Sequence, residues 1–112
     1  MNTAQELARR IVATRFDDLT AGALVGAKTG LLDTIAVGIA GASDDAARIA
    51  RRVVLDGTGE ALVWGTARRT RALDAAFANG IAANVLDYDD CTENLGGHPS
   101  APILPALLAL AE

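Results

Sequence analysis

Apolar and polar residues repeat along most of this chain with the period of a helix, not that of a strand. Leu24, Ala27, Leu31, Ile35 and Ile39 recur at spacings of three and four, which predicts a long helix over about Thr20–Ala40. Gly41 suits its end. Ahead of it, Thr3-Ala4-Gln5-Glu6 has the form of a capping box, opening a short helix that runs to about Thr14. Asp17-Asp18 separates the two. Ser43-Asp44-Asp45 can cap a third helix reaching about Leu55. Gly57-Thr58-Gly59 reads as a turn, and Ala61–Gly65 (ALVWG) as the one credible strand, a short one. A fourth helix is expected from about Thr70 to Leu86. A loop then leads to Pro102, well placed in the first turn of a fifth helix. The expected fold class is all-α, with about five helices and at most one short strand.

One stripe of the fourth helix draws the eye toward chemistry. Leu73, Phe77, Gly80, Asn84 and Asp87 are spaced four, three, four and three apart and so share a face. If that face meets the core, Asp87 emerges at the rim of a buried surface, where a carboxylate needs hydrogen-bond donors or changes its protonation. Asn79-Gly80 could form a hairpin turn, but the Ala-rich, non-alternating flanks favour helix. A mid-helix glycine costs roughly 1 kcal/mol relative to alanine, so close packing by a neighbouring element is the expected reason for Gly80. The structural alternative is that Asp87 only caps a helix end or solvates a loop.

Composition narrows the function. The chain has 112 residues, enough for one domain at most. Half of it is apolar, but only Trp64, Phe16, Phe77 and Tyr88 supply large ring surfaces, so the core should be thin and alanine-rich. The net charge is -4, and the basic residues are scattered apart from Arg51-Arg52 and Arg68-Arg69-Arg71. That speaks against nucleic-acid binding, which needs a basic stripe. Cys91 is alone, so no internal disulfide framework exists and a reducing compartment fits. The N-terminus lacks the apolar core of a signal peptide. The apolar stretch Leu31–Ala42 is broken by Asp33 and two glycines and is too short to span a bilayer. No membrane partner is expected, and the cytoplasm is the default location. The closing stretch ILPALLALAE is an apolar helix that needs a partner surface. The chain is therefore expected to be the opening segment of a larger protein or one piece of an assembly.

The dense chemistry lies in DYDDCTENLGGHPS, residues 87–100. Asp87, Asp89, Asp90 and Glu93 fall within seven positions, and His98, the sole histidine, follows eleven residues after Asp87. His98 is the one side chain here that ordinarily titrates near neutrality. Gly96-Gly97 lets the backbone fold back over the carboxylates, and Pro99 restricts His98. A carboxylate and an imidazole held in this way can act as general base and general acid. The plain alternative is a solvated acidic turn with a surface histidine. Asp89-Asp90-x-x-Glu93 is also similar to the Mg²⁺ motif of helical isoprenoid synthases. No second such motif exists here, the spacing misses an EF-hand loop, and one histidine cannot form a two-histidine triad. No metal is expected.

Taken in order, several stretches resemble one family. Lys28-x-x-Leu31-Leu32-Asp33-Thr34 with Gly41, then Ala78-Asn79-Gly80, Asp87-Tyr88-Asp89-Asp90, His98-Pro99-Ser100 and Leu104–Glu112 resemble the opening of the MmgE/PrpD family. That family includes 2-methylcitrate dehydratases, cis-aconitate decarboxylases and an iminodisuccinate epimerase. The resemblance implies that residues 1–112 are the N-terminal part of a helical domain, with the lid domain and remaining helices absent. It implies a homodimer, small di- or tricarboxylate substrates, and lyase chemistry without cofactor or metal. Asp87 and His98 match positions that line the active site, with His98 an acid/base residue. Cys91 stands where many decarboxylase-like members have threonine, and a thiol is the poorer donor, so Thr92 is a second candidate for contact with substrate. Cys91 has no basic neighbour in sequence to make it a nucleophile. The loop contains no Lys or Arg, so cations for an anionic substrate must come from Arg68, Arg69 or Arg71, or from residues outside this chain.

Overall fold

A computed structural model of the chain describes residues 2–54, 57–94 and 96–112. Among the described residues there are five α-helices, α1 (Thr3–Ala13), α2 (Ala21–Gly41), α3 (Asp45–Val54), α4 (Ala72–Asn84) and α5 (Ser100–Ala111), and one 3-10 turn at Phe16–Asp18. Between α3 and α4 lies a two-residue antiparallel hairpin, β1 (Ala61–Leu62) and β2 (Arg69–Thr70), with Ala61 opposite Thr70 and Leu62 opposite Arg69. The ALVWG strand is thus shorter than its apolar run suggested and has a partner in the basic segment Arg69-Thr70, which no hydrophobic alternation marks.

Local signals explain most boundaries. Thr20 caps α2, its hydroxyl accepting from the Ala23 N–H at 3.1 Å. Asp44 accepts from the Ala46 N–H at 2.9 Å and starts α3. The expected α3 end at Leu55 lies outside the described residues. The capping box of α1 sits one residue earlier than Thr3/Glu6. Asn2 accepts from the Gln5 N–H at 2.9 Å, and the Gln5 side chain accepts from the Asn2 N–H at 3.0 Å. Asparagine outranks threonine as an N-cap, and Glu6 turns to Arg9 and Arg10 instead, which hold its carboxyl below the usual range.

α4 is the centre of the molecule and packs on α2, α3, α5 and the hairpin. Ten of the thirteen buried apolar residues among those described are alanines, with Val54, Val63 and Trp64 the exceptions. Small side chains let helix backbones come close, and two glycines of α2 make the closest approach. A methyl on Gly38 would meet the Trp64 ring at 2.4 Å, and one on Gly41 would meet the Ala82 carbonyl oxygen of α4 at 2.1 Å. Gly41 is therefore at the helix end because of packing, not because the backbone turns left-handed there. Asn79 is buried on α4 and stitches the hairpin to it: its Oδ1 accepts from the Trp64 N–H at 2.9 Å, and its Nδ2 donates to the Leu62 carbonyl at 2.9 Å.

Two expectations change. The helix that holds most of the stretch Leu31–Ala42 runs from Ala21 to Gly41, so at 21 residues it is long and apolar enough to cross a bilayer by length and composition. It carries Lys28 and Asp33, and it buries Thr34, Gly38 and Gly41 on the side that meets α4. Second, the stripe Leu73, Phe77, Gly80, Asn84 does not face the core. Leu73 is 81% exposed and Phe77 53%. The buried face is Ala75, Ala78, Asn79, Ala82 and Ala83, because only small residues fit the close seams with α2 and α3. α1 buries none of its residues, and large apolar side chains from Leu7 to Val25 stay exposed.

Candidate active site

The stripe that misses the core forms one wall of a cleft. Phe77, Gly80, Ile81 and Asn84 of α4 face His98, Ala101 and Pro102 at the start of α5 across a space of about 450 Å³. Gly80 lies against the Ala101 carbonyl, where an added methyl would sit at an ordinary 3.5 Å. Pro105, buried one turn further on, has no N–H to give that carbonyl.

α4 ends at Asn84, and the chain turns out of the helix through Asp87, whose N–H donates to the Asn84 carbonyl at 2.9 Å. Asp87 has a φ of 55°, a left-handed conformation that among non-glycine residues Asp and Asn accept best. The loop then folds back on itself. Thr92 and Gly97 form a bridge, with the Thr92 N–H donating to the Gly97 carbonyl at 3.0 Å. Gly96 takes a φ of 59° at the turn, as the Gly96-Gly97 pair suggested. The fold-back brings His98 to the acidic end.

There the imidazole stands between two carboxylates. His98 Nε2 is 3.2 Å from Asp87 Oδ1, and His98 Nδ1 is 3.2 Å from Asp89 Oδ1. Asp87 and His98, the catalytic pair proposed from sequence, therefore meet. Their surroundings differ from expectation. The Asp87 side chain is 82% exposed, whereas that of Asp89 is fully buried and that of His98 is 29% exposed. The buried carboxylate is two residues beyond the one singled out. Asn84 Nδ2 donates to both Asp89 oxygens at 3.3 Å, which supplies the donor a buried charge needs. The Nδ1 contact is charge proximity without an aligned hydrogen bond. The two ring nitrogens thus each face a carboxylate oxygen, one of an exposed side chain and one of a buried side chain.

Asp90 turns away from the imidazole to the start of α5, taking the Ser100 N–H at 3.1 Å and the Ser100 hydroxyl at 2.6 Å. Cys91 is exposed, Thr92 is half-buried at the bridge, and neither lines the cleft. Glu93 is exposed, and Leu95 lies outside the described residues. Asp87, Asp89 and His98 each offer a ligand atom within 4.8 Å of the others and are the residues that could hold a metal ion. Each ring nitrogen faces a different carboxylate, however, so only one nitrogen can join a shared ion. Of the expected cations, Arg69 pairs with Glu112 at 3.1 Å and Arg71 with Asp74 at 2.6 Å. Among the described residues no Lys or Arg lines the cleft.

Sequence reasoning missed Asp89 as a partner of the histidine and Asn84 as the donor to that carboxylate. The signal was present: Asn84 stood on the stripe that ends at the loop, and a polar residue at the end of an apolar stripe marks a face meeting something polar.

The chain matches the MmgE/PrpD N-terminal domain over residues 5–112. It is 32% identical over 111 residues to cis-aconitate decarboxylase of Homo sapiens, covering 96% of this chain, and 30% identical over 114 aligned positions to that of Mus musculus, covering 99%. The chain spans 23% of the length of each of these relatives. A match across nearly the whole chain, on helices whose connecting loop brings an aspartate and a histidine together, places this protein in the MmgE/PrpD family through its N-terminal domain.

Proposed function

We propose that these residues form the histidine side of the active site of a lyase acting on small di- or tricarboxylates without metal or cofactor. The single observation that supports this most is His98, set between Asp87 and Asp89 at the wall of a cleft. In a decarboxylation, the bond to the departing CO₂ breaks, and the electron pair left on carbon takes the proton from the imidazolium. In a dehydration, the base removes a proton from the carbon beside a carboxylate, and the hydroxyl leaves with a proton as water. In both, the two carboxylates stabilise the imidazolium stage and keep the ring in place. The lower part of the cleft, with Phe77, Ile81 and Pro102, offers only apolar contact. The groups that grip substrate carboxylates, the lid, and the contacts of a homodimer belong in this reading to the rest of a longer enzyme, as does contact of Cys91 or Thr92 with substrate.

The test is His98→Gln in the full-length enzyme. Glutamine keeps polar contacts with the carboxylates but carries no exchangeable charge. General acid/base groups are worth about 10²–10⁴-fold in rate, so kcat should fall by at least about 10²-fold with an unchanged helical circular dichroism spectrum. Wild-type turnover in this variant removes His98 from the mechanism. Product analysis with cis-aconitate, 2-methylcitrate and iminodisuccinate separates decarboxylase, dehydratase and epimerase.

A further inference from the structure

We propose that Asp90 and Ser100 form a clamp that holds the Asp87 and Asp89 carboxylates against the His98 imidazole, and that they are positioning residues for the proton-transfer step; this rests on the reading of His98 given above. The first N–H groups of a helix have no partner within it. In α5 the residue ahead of the helix is Pro99, which has no side chain able to accept from them. The acceptor comes from ten residues upstream. Asp90 Oδ1 takes the Ser100 N–H at 3.1 Å, and Oδ2 takes the Ser100 hydroxyl at 2.6 Å. Two oxygens on two donors of one residue fix rotation as well as distance, where a single bond would leave a swivel. The carboxylate also lies at the helix end where negative charge is favoured.

The clamp matters because of what it joins. His98 is two residues before Ser100, and the link is Pro99, with φ held by its ring at -76° and ψ at -32°. Few free torsions separate Ser100 from the histidine backbone. On the other side, Asp90 follows Asp89, which faces His98 Nδ1, and lies three residues from Asp87, which faces Nε2. The clamp thus ties the segment bearing the two carboxylates to the segment bearing the imidazole. A second tie across the loop, the Thr92–Gly97 bridge, sits toward its tip.

The α5 side of this joint is the fixed one. A methyl on Gly30 of α2 would lie 3.8 Å from Ser100 Oγ, and one on Gly80 of α4 would lie 3.5 Å from the Ala101 carbonyl oxygen. The first turn of α5 is thus seated against two helices. Loss of the clamp releases the carboxylate segment relative to a stationary histidine. The 3.2 Å contacts on both ring nitrogens then open, while the helices stay packed.

The chain contains one histidine, so its imidazole ¹⁵N and ¹³C resonances report His98 without ambiguity. The experiment compares those resonances across a pH titration in wild type, Asp90→Ala, Asp90→Asn and Ser100→Ala. Asp90→Ala is expected to move both ring ¹⁵N shifts toward those of a water-exposed imidazole, with the helical spectrum unchanged. Asp90→Asn, which keeps an acceptor for the Ser100 N–H, should restore most of the wild-type shifts, and Ser100→Ala should move them part of the way. In the full-length enzyme, a misplacement of about 1 Å costs on the order of 10²-fold. Asp90→Ala should therefore lower kcat by about that factor, while KM stays within about two-fold because substrate binding is not what the clamp serves. Wild-type ring resonances in Asp90→Ala overturn the clamp. So does a loss that Asp90→Asn fails to reduce. If Asp90→Ala does not fold, Ser100→Ala decides: it removes one hydroxyl from a helix start, and unchanged resonances there also overturn the proposal. The two readings fail separately. Undiminished turnover in His98→Gln ends the catalytic role and leaves the resonance result standing, whereas unmoved resonances end the clamp and leave the catalytic role standing.

Discussion

The same substitution at two glycines of α2 should change stability in opposite directions. Gly26 has nothing within 4 Å of where a methyl would sit. Gly26→Ala therefore gains only the helix preference of alanine, about 1 kcal/mol. Gly41→Ala places the methyl 2.1 Å from the Ala82 carbonyl oxygen and 2.9 Å from Val85 Cγ1. The first distance is more than an ångström short of ordinary contact, and the oxygen is backbone in the last turn of α4, so it can move only if that turn moves. Overpacking of this kind costs about 1–3 kcal/mol, and the upper end applies because no flexible side chain can yield. Alanine's helix preference offsets less than about 1 kcal/mol of that at a terminal helical residue. The net loss should be about 2 kcal/mol, and the two variants should differ by about 3 kcal/mol. Urea unfolding followed by circular dichroism, with both variants made in the same background, measures this directly. A Gly41→Ala protein as stable as wild type, or stabilised like Gly26→Ala, would refute the close seam between α2 and α4. The site depends on that seam, because α4 ends in Asn84 and sets the direction in which the loop leaves.

Two further substitutions test the scaffold of the site. Asn79→Ala should cost about 2–4 kcal/mol in the same unfolding assay, because it leaves the Trp64 N–H and the Leu62 carbonyl without partners in a buried seam; a loss below about 1 kcal/mol would mean that water replaces the amide. Asp87→Asn should leave stability within about 0.5 kcal/mol of wild type, since asparagine also accepts the left-handed backbone at φ 55°. It should nonetheless shift the His98 Nε2 resonance, because it removes the charge at 3.2 Å. An unshifted resonance would show that this contact is absent in solution.

Much of the helical skeleton was legible because it is written locally. Caps at Thr20 and Asp44 act within a few residues, and the 3.6-residue period of α2 needs no tertiary knowledge. What was illegible depended on partners distant in sequence. Arg69-Thr70 becomes a strand only because Ala61-Leu62 lies beside it. The buried face of α4 is its alanine face and not its larger side chains, since α2 approaches through Gly38 and Gly41 too closely for Leu73 or Phe77 to fit between. Periodicity locates a face but does not say whether core or cleft lies opposite. The same limit applied at the site. A carboxylate, a glycine turn and one histidine could be assembled from order along the chain, and they do meet. Which carboxylate is buried could not be read, because burial of Asp89 depends on Asn84 reaching across the helix end.

The charge balance of the cleft leads to one more prediction. Asp87 and Asp89 flank a single imidazole, Asp90 lies just beyond, and no described Lys or Arg lines the space. Two unit charges about 4 Å apart interact by about 4 kcal/mol at an effective dielectric near 20. A tricarboxylate beside His98 in this cleft would lie near the two carboxylates that flank the ring, a repulsion of several kcal/mol on that scale. The apolar walls offer no compensating cation, and Arg69 and Arg71 are engaged elsewhere on the hairpin side. The 112-residue chain should therefore show no heat of binding in calorimetric titration with cis-aconitate or citrate up to millimolar concentration, and no turnover. A Kd of 1 mM corresponds to about -4 kcal/mol, comparable to one such unscreened pair. A Kd tighter than that in this chain alone would require a cation in the cleft, and would refute the placement of the substrate grip outside these residues.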